Sequence, residues 1–336
     1  MLSQKEAVKI LTSILASTDC RVEVGAGVDD IAVLKFGNSR LAVTTDYLNF
    51  SPLGRRYEAI SLRDCGYILV MQNVSDLIAS GATPLAGVVS LGLPRSLKPI
   101  EVREIAEGIR SAALECSISI VGGDTKEAPH LTLNATLFGE LGSAGLWARS
   151  GANPGDSLFV SGQLGGVSAA VLALSRQDLG EPINRASAQA LARPVLPLSL
   201  TKKLRSAGIR VGAIDISDGL GMNLHQLADA SDVGLEIDAL DIPLHPLATI
   251  VADKLRLMPW RLAFGFGGDG QFVFSVRSQD ESIAIGAGGV KVGRVTKSKN
   301  RVIIHSTGCE PLPFFGHEDF ASEPSINTFF KILERS

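Results

Sequence analysis

Apolar residues in the first half of the chain fall into short runs and longer stretches with helical spacing. Runs rich in β-branched residues and bounded by Gly, Pro or Asp predict strands at 41–45, 85–93, 117–121 and 130–141. Apolar residues spaced three to four apart predict helices at 59–80 and 99–115, the first of them ending before Gly81 and Pro84. This mixture of strands and helices is typical of an α+β unit.

A dense turn signal at 149–156, Arg-Ser-Gly-Ala-Asn-Pro-Gly-Asp, interrupts this pattern. Beyond it a second series begins, with strands predicted at 158–160, 211–214, 271–276 and 290–295 and helices at 165–174 and 220–230. We therefore predict an α+β fold of two domains, at 1–146 and 147–336. A chain of 336 residues with 45% apolar content is long enough to bury both cores.

Acidic residues stand at the edges of the apolar runs, each beside a small or hydroxyl residue. A single Asp in such a place is usually a cap or turn residue. If the fold gathers several, two charges about 4 Å apart repel by about 4 kcal/mol at an effective dielectric of about 20, so a cation must offset them. The clusters are Asp29-Asp30, Thr44-Thr45-Asp46, Asn73-Val74-Ser75-Asp76, Gly122-Gly123-Asp124-Thr125 and Asp215-Ile216-Ser217-Asp218-Gly219.

The donor atoms in these clusters are hard oxygens, with no His or Cys nearby. Such oxygens favour Mg²⁺ over zinc or copper. Mg²⁺ held by a few carboxylates commonly completes its shell with water and substrate phosphates, so nucleotide chemistry is the leading hypothesis. Asp215 and Asp218 lie where a predicted strand meets a helix, and Ser217 or Asp218 could also simply cap that helix, whose N-terminus favours anions.

Composition narrows the functional classes. A net charge of -3 and a pI near 6.0, without a basic run, argue against a nucleic-acid-binding surface. The cysteines are scattered and read as reduced thiols: Cys20, Cys65, Cys116 and Cys309. Residues 1–20 have the spacing of an amphipathic helix, which is unlike a signal peptide, and no apolar stretch reaches membrane-spanning length. We expect a cytoplasmic protein with no membrane partner.

Several familiar catalytic motifs do not fit. The glycines at 265, 267 and 270 match the dinucleotide fingerprint as a string, but they precede a strand instead of following one. The chain has no P-loop, no protein-kinase signature and no Gly-x-Ser-x-Gly elbow. His225 follows Asp218 by two helical turns, and a buried structural role is the simpler interpretation.

Taken in order with the Arg149-Ser150-Gly151-Ala152 turn, the acidic clusters resemble the thiamine-monophosphate kinase family. That family belongs with aminoimidazole ribonucleotide synthetase, selenophosphate synthetase and HypE in one superfamily. The resemblance implies a two-domain PurM-like architecture whose N-terminal domain binds ATP and Mg²⁺ and forms a homodimer. It further implies direct in-line phosphoryl transfer to a small phosphorylated substrate, without a covalent enzyme intermediate.

The resemblance also implies roles for individual residues. Metal ligands would be Asp29, Asp30, Thr44, Thr45, Asp46, Asp76, Asp124, Asp215 and Asp218. ATP contacts would be Gly122, Gly123, Asp124, Thr125, Arg149 and Ser217. Asp218 and Arg149 would act in catalysis, and the planar guanidinium of Arg149 is suited to clamp a phosphate.

Three substrate-side positions depart from the family pattern. The segment after Asp46 is shorter and lacks the family's His, the family's acidic stretch survives at best as Asp269, and the final aromatic could be Phe315 or His317. We expect Asp269, Phe315 and His317 to contact substrate, and the acceptor to differ from thiamine monophosphate. The alternatives are a divergent thiamine-monophosphate kinase, a synthetase of the aminoimidazole ribonucleotide type, and a non-catalytic nucleotide-binding paralogue.

Overall fold

A computed structural model describes residues 4–48, 53–143, 145–176 and 179–315, together with Phe329 and Leu333. The first half contains α1 (Gln4–Leu15), β1 (Val22–Val24), β2 (Ala32–Phe36), β3 (Ser39–Leu48), α2 (Leu53–Arg56), α3 (Leu62–Ala79), β4 (Thr83–Leu93), α4 (Pro99–Glu115), β5 (Ser119–Glu127) and β6 (Thr132–Leu141). The second half contains β7 (Asp156–Val160), α5 (Gly166–Arg176), α6 (Glu181–Ala192), α7 (Leu198–Ala207), β8 (Val211–Asp215), α8 (Leu220–Ser231), β9 (Gly234–Asp238), α9 (Pro246–Leu255), α10 (Pro259–Ala263), β10 (Phe272–Arg277), α11 (Glu281–Ala287), β11 (Val290–Thr296), β12 (Arg301–His305) and β13 (Gly308–Pro311).

The N-terminal sheet has six strands in the order β1-β2-β3-β6-β4-β5. Along β3 and β6, residues such as Ala42 and Leu137 are buried on the face that packs with α3. Side chains alternate between the two faces of a sheet, so Val43 and Phe138, which pair across these strands, point to the other face. They are only half-buried there. We call this second side the open face.

Helix α3 is the central element of the molecule. Its N-terminus is a capping box, in which the Ser61 side chain accepts from the Asp64 N–H and the Asp64 carboxylate accepts from the Ser61 N–H. The cap starts the helix at Leu62, three residues after the predicted start. Most of its residues are buried on all sides, because one face packs on β3 and β6 while another meets β8 and β10 of the second domain.

Two glycines let α3 and α4 approach closely. A Cβ built on Gly108 would lie 1.9 Å from the carbonyl oxygen of Arg63, and one on Gly66 would lie 2.2 Å from that of Ile105. Neither position has room for a side chain. The close contact fixes α3 against the sheet, and α3 in turn positions Asp76.

The C-terminal sheet has seven strands in the order β13-β12-β9-β11-β7-β10-β8. The pairing is antiparallel except between β9 and β12. Strands β7, β8 and β10 have almost entirely buried side chains, since helices and the first domain cover them. Strand β8, at the edge of this sheet, runs toward the first domain and ends at Asp215.

The predicted elements are all present, with shifted ends. Predicted strand 117–121 is β5, which begins at Ser119 and continues through Gly122, Gly123 and Asp124 to Glu127, so the glycines lie within a strand and not after it. The turn signal at 149–156 contains a short 3-10 turn and separates β6 from β7. The predicted N-terminal helix is α1, and none of the helices in the described ranges could cross a membrane.

Candidate active site

Acidic residues from both domains meet in the cleft between them. The N-terminal domain supplies carboxylates from the turn before β2, from β3 and from the last turn of α3, and the C-terminal domain supplies them from the end of β8 and the loop after it. At least one other carboxylate of the group repels each of four carboxyls, those of Asp30, Asp46, Asp76 and Asp215. The sequence-predicted residues brought together here are Asp29, Asp30, Asp46, Asp76, Asp215 and Asp218.

Asp76 and Asp215 form the most buried part of this cluster, with 9% and 3% of their surfaces exposed. Burial raises the pKa of the Asp76 carboxyl well above its usual range, and repulsion from Asp215 and Asp46 raises it further. Burial likewise raises the pKa of Asp215, with repulsion from Asp30 adding to it. The surroundings of Asp76 and Asp215 therefore favour a protonated carboxyl or a carboxylate paired with a cation.

The pKa values of the other carboxyls, those of Asp46, Asp30 and Asp29, are raised as well. Burial raises the pKa of Asp46 to about 6, helped by the charge of Asp218. Burial also raises the pKa of Asp30 to about 6, although the guanidinium of Arg149 opposes the shift. For Asp29, burial again raises the pKa more than its hydrogen bonds and Arg149 lower it.

Arg149 is the cation of this cluster in the described chain. Its Nη2 donates to Asp30 Oδ1, its Nε lies 3.8 Å from Asp29 Oδ1, and its backbone N–H donates to Asp29 Oδ2 at 3.1 Å. The buried Nε has no hydrogen-bond partner among the described residues. One guanidinium therefore offsets the charge of two carboxylates, Asp29 and Asp30.

Hydroxyl and amide side chains fix the carboxylates in place. Thr44 Oγ1 donates to Asp76 Oδ2 at 2.6 Å, which joins β3 to α3. Asn73, one turn before Asp76, accepts from the Asp46 N–H through its Oδ1 at 3.0 Å and donates to the Leu69 carbonyl through its Nδ2. Asn73 thus orients Asp46.

The loop after β8 is shaped by Gly219. This residue has φ +115°, and a Cβ on it would lie 1.9 Å from the carbonyl oxygen of Gly265, so only glycine fits. Ser217 Oγ donates to Asp215 Oδ1 at 3.3 Å, and Gln226 Nε2 donates to Asp218 Oδ2 at 3.2 Å. The side chain of neither Ser217 nor Asp218 makes the predicted cap of α8, for Gly219 is the N-cap residue.

Two cavities meet at the acidic cluster. The polar cavity, of about 470 Å³, is lined by the loop 25–27, the turn at Asp29 and Asp30, and residues 43–46. The apolar-walled cavity, of about 340 Å³, is lined by Leu48, Ile68, Met71, Pro194 and Leu196 together with polar groups. Both cavities reach Asp46, Asp215 and Ser217. A ligand in one would therefore contact a ligand in the other at the carboxylates.

The donor set fits Mg²⁺. It consists of carboxylate and hydroxyl oxygens, and the buried carboxyls lack sufficient positive charge. In the described part of the chain, no group of three or more acidic, His or Cys side chains is already arranged to hold a metal ion. Mg²⁺ commonly takes part of its shell from water and phosphate.

The glycine-rich segment Gly122–Thr125 lies apart from this cluster within one chain. On the open face, Tyr47, Asn134, Ser90 and Asp124 occupy one row across four strands. Three strand spacings place Asp124 about 14 Å from Tyr47. The Asp124 carboxylate accepts from the Thr125 N–H at 2.8 Å and faces Lys126 at 3.6 Å.

The carboxylate of Asp269, which the sequence predicts to contact substrate, caps the start of α5. Its two oxygens accept from the N–H groups of Gly165 at 2.8 Å and Val167 at 3.0 Å, at the start of α5. Burial raises its pKa to about 6, against the effect of those N–H groups. It lines a separate cavity of about 300 Å³ that also contains His245 and Gln271.

Phe315 is the second residue predicted to contact substrate. Its side chain is 4% exposed and packs edge-on against Phe266, with ring centroids 5.5 Å apart, and against Phe329. It therefore forms part of an apolar core of the second domain. The neighbouring Phe314 is the exposed aromatic of this pair. His317 lies outside the described residues.

Sequence reasoning missed the walls of the apolar-walled cavity. Ile68 and Gln72 precede Asp76 by eight and four residues on α3, so they lie on the same side of the helix as the acid. That spacing could have predicted that Ile68 and Gln72 lie beside the acidic cluster. Pro194 and Leu196 come from a connecting segment between α6 and α7 and carried no such signal.

The chain matches two known domain family models in succession. Residues 28–141 match the family model "AIR synthase related protein, N-terminal domain", and residues 153–306 match "AIR synthase related protein, C-terminal domain". Together these matches account for most of the chain. Each falls within one of the two predicted domains.

Individual relatives agree. A thiamine-monophosphate kinase of Pyrococcus horikoshii is 31% identical, over 89% of this chain and 92% of that protein. One of Rhodopirellula baltica is 32% identical, over 84% and 85%. The solved structure "AaThiL complexed with AMPPCP and TMP" is 26% identical, with a TM-score of 0.79 over 95% of this chain and 97% of that one. The chain belongs to the thiamine-monophosphate kinase family of ATP-dependent kinases and has its two-domain PurM-like α+β fold.

Proposed function

We propose that this kinase transfers the γ-phosphoryl group of ATP to the phosphate of a small phosphomonoester held in the apolar-walled cavity. The observation that carries the proposal is the meeting of two cavities at Asp46, Asp215 and Ser217. The polar cavity suits a polyphosphate, and the apolar-walled cavity suits the body of a small organic acceptor. AMPPCP, which is an ATP analogue, occurs with TMP in the related AaThiL structure.

Mg²⁺ would be held by the acidic cluster, with the hydroxyls of Thr44 and Thr45 beside it: Asp29, Asp30, Asp46, Asp76, Asp215 and Asp218. When bound, it would neutralise phosphate charge that develops during transfer. This assignment is supported by the oxygen-only donor set and by the raised pKa of the buried carboxyls.

The chain itself would contribute position and charge. An oxygen of the acceptor phosphate attacks the γ-phosphorus while the bond to the β,γ-bridging oxygen breaks and ADP leaves, so no enzyme nucleophile is needed. Arg149 would exchange its bonds to Asp29 and Asp30 for phosphate oxygens. Asn73 and Thr44 would keep Asp46 and Asp76 in place throughout.

We propose that the acceptor differs from thiamine monophosphate. The support is that Asp269 and Phe315, two of the expected substrate contacts, are engaged in a helix cap and a core. A site that recognises a substrate through a polar contact loses several kcal/mol, roughly, when the partner group is absent. The cavity walls at Ile68, Met71 and Leu196 instead favour an uncharged apolar body.

The test is product analysis. Purified protein would be incubated with Mg·ATP and each of several phosphomonoesters, including thiamine monophosphate, and products separated by chromatography. We expect ADP formation that depends on an acceptor, with thiamine monophosphate converted slowly or not at all. Efficient thiamine diphosphate formation at micromolar substrate would overturn the changed acceptor, and acceptor-independent ATP turnover would contradict phosphomonoester transfer.

We also propose a homodimer formed through the open face of the N-terminal sheet. That face carries half-buried apolar side chains such as Val43, Val88 and Phe138. Its polar end, at Thr45 and Thr136, borders the polar cavity. A second copy on this face could bring its own Gly122–Thr125 segment toward that cavity, which would give Asp124 the ATP and metal role that one chain alone does not.

A further inference from the structure

A further cavity lies on the other side of α3 from the acidic cluster. It has a volume of about 610 Å³ and is lined by both domains: the end of α3 and start of β4, the end of α4, Gly142 and Ser143 after β6, and helix α7. Cavities of this size hold small organic ligands. None of the residues assigned above to ATP, metal or acceptor lines it.

Two cationic side chains border the cavity. The guanidinium of Arg205, on α7, is half-buried and has no hydrogen-bond or ion-pair partner among the described residues, and Lys202 lies one turn before it. Every other half-buried arginine in the described chain pairs with a carboxylate: Arg40, Arg149, Arg210, Arg261 and Arg301. A guanidinium that is partly removed from water normally finds an anion.

Hydroxyl groups surround the same space. Thr201, one residue before Lys202, is 3% exposed, and its buried Oγ1 has no hydrogen-bond partner in the described part of the chain. Ser117, Ser143 and Ser206 also line the cavity. Glu115 is the acidic residue of the lining, and its carboxylate already accepts from the Tyr67 hydroxyl at 2.8 Å. Two cations and one carboxylate leave the lining net positive.

We propose that this cavity binds a small phosphomonoester with an apolar body, at a site separate from the catalytic cleft. The phosphate contacts Arg205 and Lys202, since a guanidinium can meet two phosphate oxygens at once and an ammonium adds a third donor group. The apolar body packs against Ile78, Ala82 and Leu198. The serine hydroxyls complete the shell of the anion.

Binding there would affect the catalytic cleft through α3. Ile78 follows Asp76 by two residues, which is about 200° around a helix, so the two side chains point to opposite sides of the same last turn. A ligand in this cavity packs on Ile78 while Asp76 serves the acidic cluster. The cavity is also lined by α7 of the second domain, so its occupant holds the two domains together.

The test is calorimetric titration of phenyl phosphate into the full chain without ATP and with EDTA present. Without a divalent cation the acidic cleft repels phosphate, so binding reports the basic cavity. We expect one site per chain, and affinity at least about tenfold weaker in the double variant Lys202→Ala/Arg205→Ala. The matched control Lys203→Ala/Arg110→Ala removes the same charges from exposed positions outside the cavity and should bind like the unaltered chain.

Two outcomes would overturn the proposal. One is the absence of binding up to millimolar phenyl phosphate. The other is an equal loss of affinity in the cavity variant and the control, which would mean a general effect of net charge. Both measurements exclude ATP and turnover, so failure here is distinguishable from failure of the proposed kinase reaction. Circular dichroism of each variant verifies that the chain is folded.

Discussion

The carboxyl groups of Asp76 and Asp215 are buried, at positions where a charged group lowers the stability of the fold. Burial raises the pKa of both, repulsion from neighbouring carboxylates raises it further, and the guanidinium of Arg149 is engaged by Asp29 and Asp30. Such a cluster lowers stability until a cation binds. At the scale of single residues, function and stability therefore oppose each other.

Asp215→Asn tests this opposition. We expect turnover with Mg·ATP to fall on the order of 100-fold or more, because a charge that positions metal and phosphate is lost. In EDTA the melting temperature should stay equal or rise, since a buried repulsive charge is removed. The control Asp253→Asn, at an exposed position of α9, should change neither quantity. A large drop in melting temperature without metal would mean that Asp215 stabilises the fold.

Thr201→Val tests the unpartnered hydroxyl. Valine keeps the shape of the side chain and removes an oxygen that has no hydrogen-bond partner among the described residues, so the free energy of unfolding should stay equal or increase by up to about 1 kcal/mol. Ser187→Ala is the contrast, because Ser187 Oγ donates to the Ile183 carbonyl at 2.8 Å and its loss should cost about 1 kcal/mol. Denaturant unfolding of the two variants measures both. Equal destabilisation would show that Thr201 has a partner in solution.

At the scale of elements, close packing of α3 against α4 sets the position of the cleft. Gly108 and Gly66 bring the two backbones together, and α3 carries Asn73 and Asp76 toward β3. A helix that approached less closely would move Asp76 away from Thr44. The precision of the site thus depends on two residues that touch no ligand.

Gly108→Ala should lower the free energy of unfolding by about 2–3 kcal/mol or more, because its Cβ would overlap the Arg63 carbonyl and the helices must separate. Gly286→Ala, in α11, is the matched control. Nothing lies within 4 Å of a Cβ there, so alanine should stabilise by roughly 0.5–1 kcal/mol. Denaturant unfolding monitored by circular dichroism compares them. Tolerance of Gly108→Ala would contradict the close helix contact.

The cap of α5 predicts a pH dependence. The pKa of Asp269 is raised from 3.8 to about 6 in the folded chain, so the folded state binds its proton more tightly than the unfolded state. Its contribution to stability is therefore greatest below about pH 4 and falls as pH rises to about 6, by up to about 3 kcal/mol. Asp269→Asn should remove this component from melting curves recorded across that range. An unchanged pH profile would refute the shift.

At the scale of the whole molecule, the two domains provide one site from two sheets. The N-terminal sheet contributes β3, the C-terminal sheet contributes the end of β8, and α3 lies between them. The open face of the first sheet is left with apolar side chains that a second copy would bury.

Phe138→Glu tests the proposed dimer. The side chain lies in the middle of the open face, where a charge would be buried against the partner, so sedimentation should show a dimer for the unaltered chain and a monomer for the variant. Ile285→Glu, an exposed apolar position on α11, is the control and should remain dimeric. A monomer at tens of micromolar for the unaltered chain, roughly where specific interfaces are populated, would reject the dimer.

The helices and strands, the α+β class and the acidic residues of the cleft could all be predicted from the amino-acid sequence. Helical and strand periods are local properties, and carboxylates beside small residues at strand ends are visible without any fold. The order of those motifs was also enough to indicate the family. The spacing of Ile68, Gln72 and Asp76 could also have predicted part of the wall of the apolar-walled cavity.

Which of those residues meet depends on the tertiary structure. It placed Asp124 across four strands from Tyr47, turned Asp269 into the first turn of α5, and packed Phe315 between Phe266 and Phe329. It also joined Arg149 to Asp29 and Asp30, more than a hundred residues away. These contacts join residues that are far apart in the sequence and depend on how sheets and helices pack together. The local sequence pattern does not predict that packing.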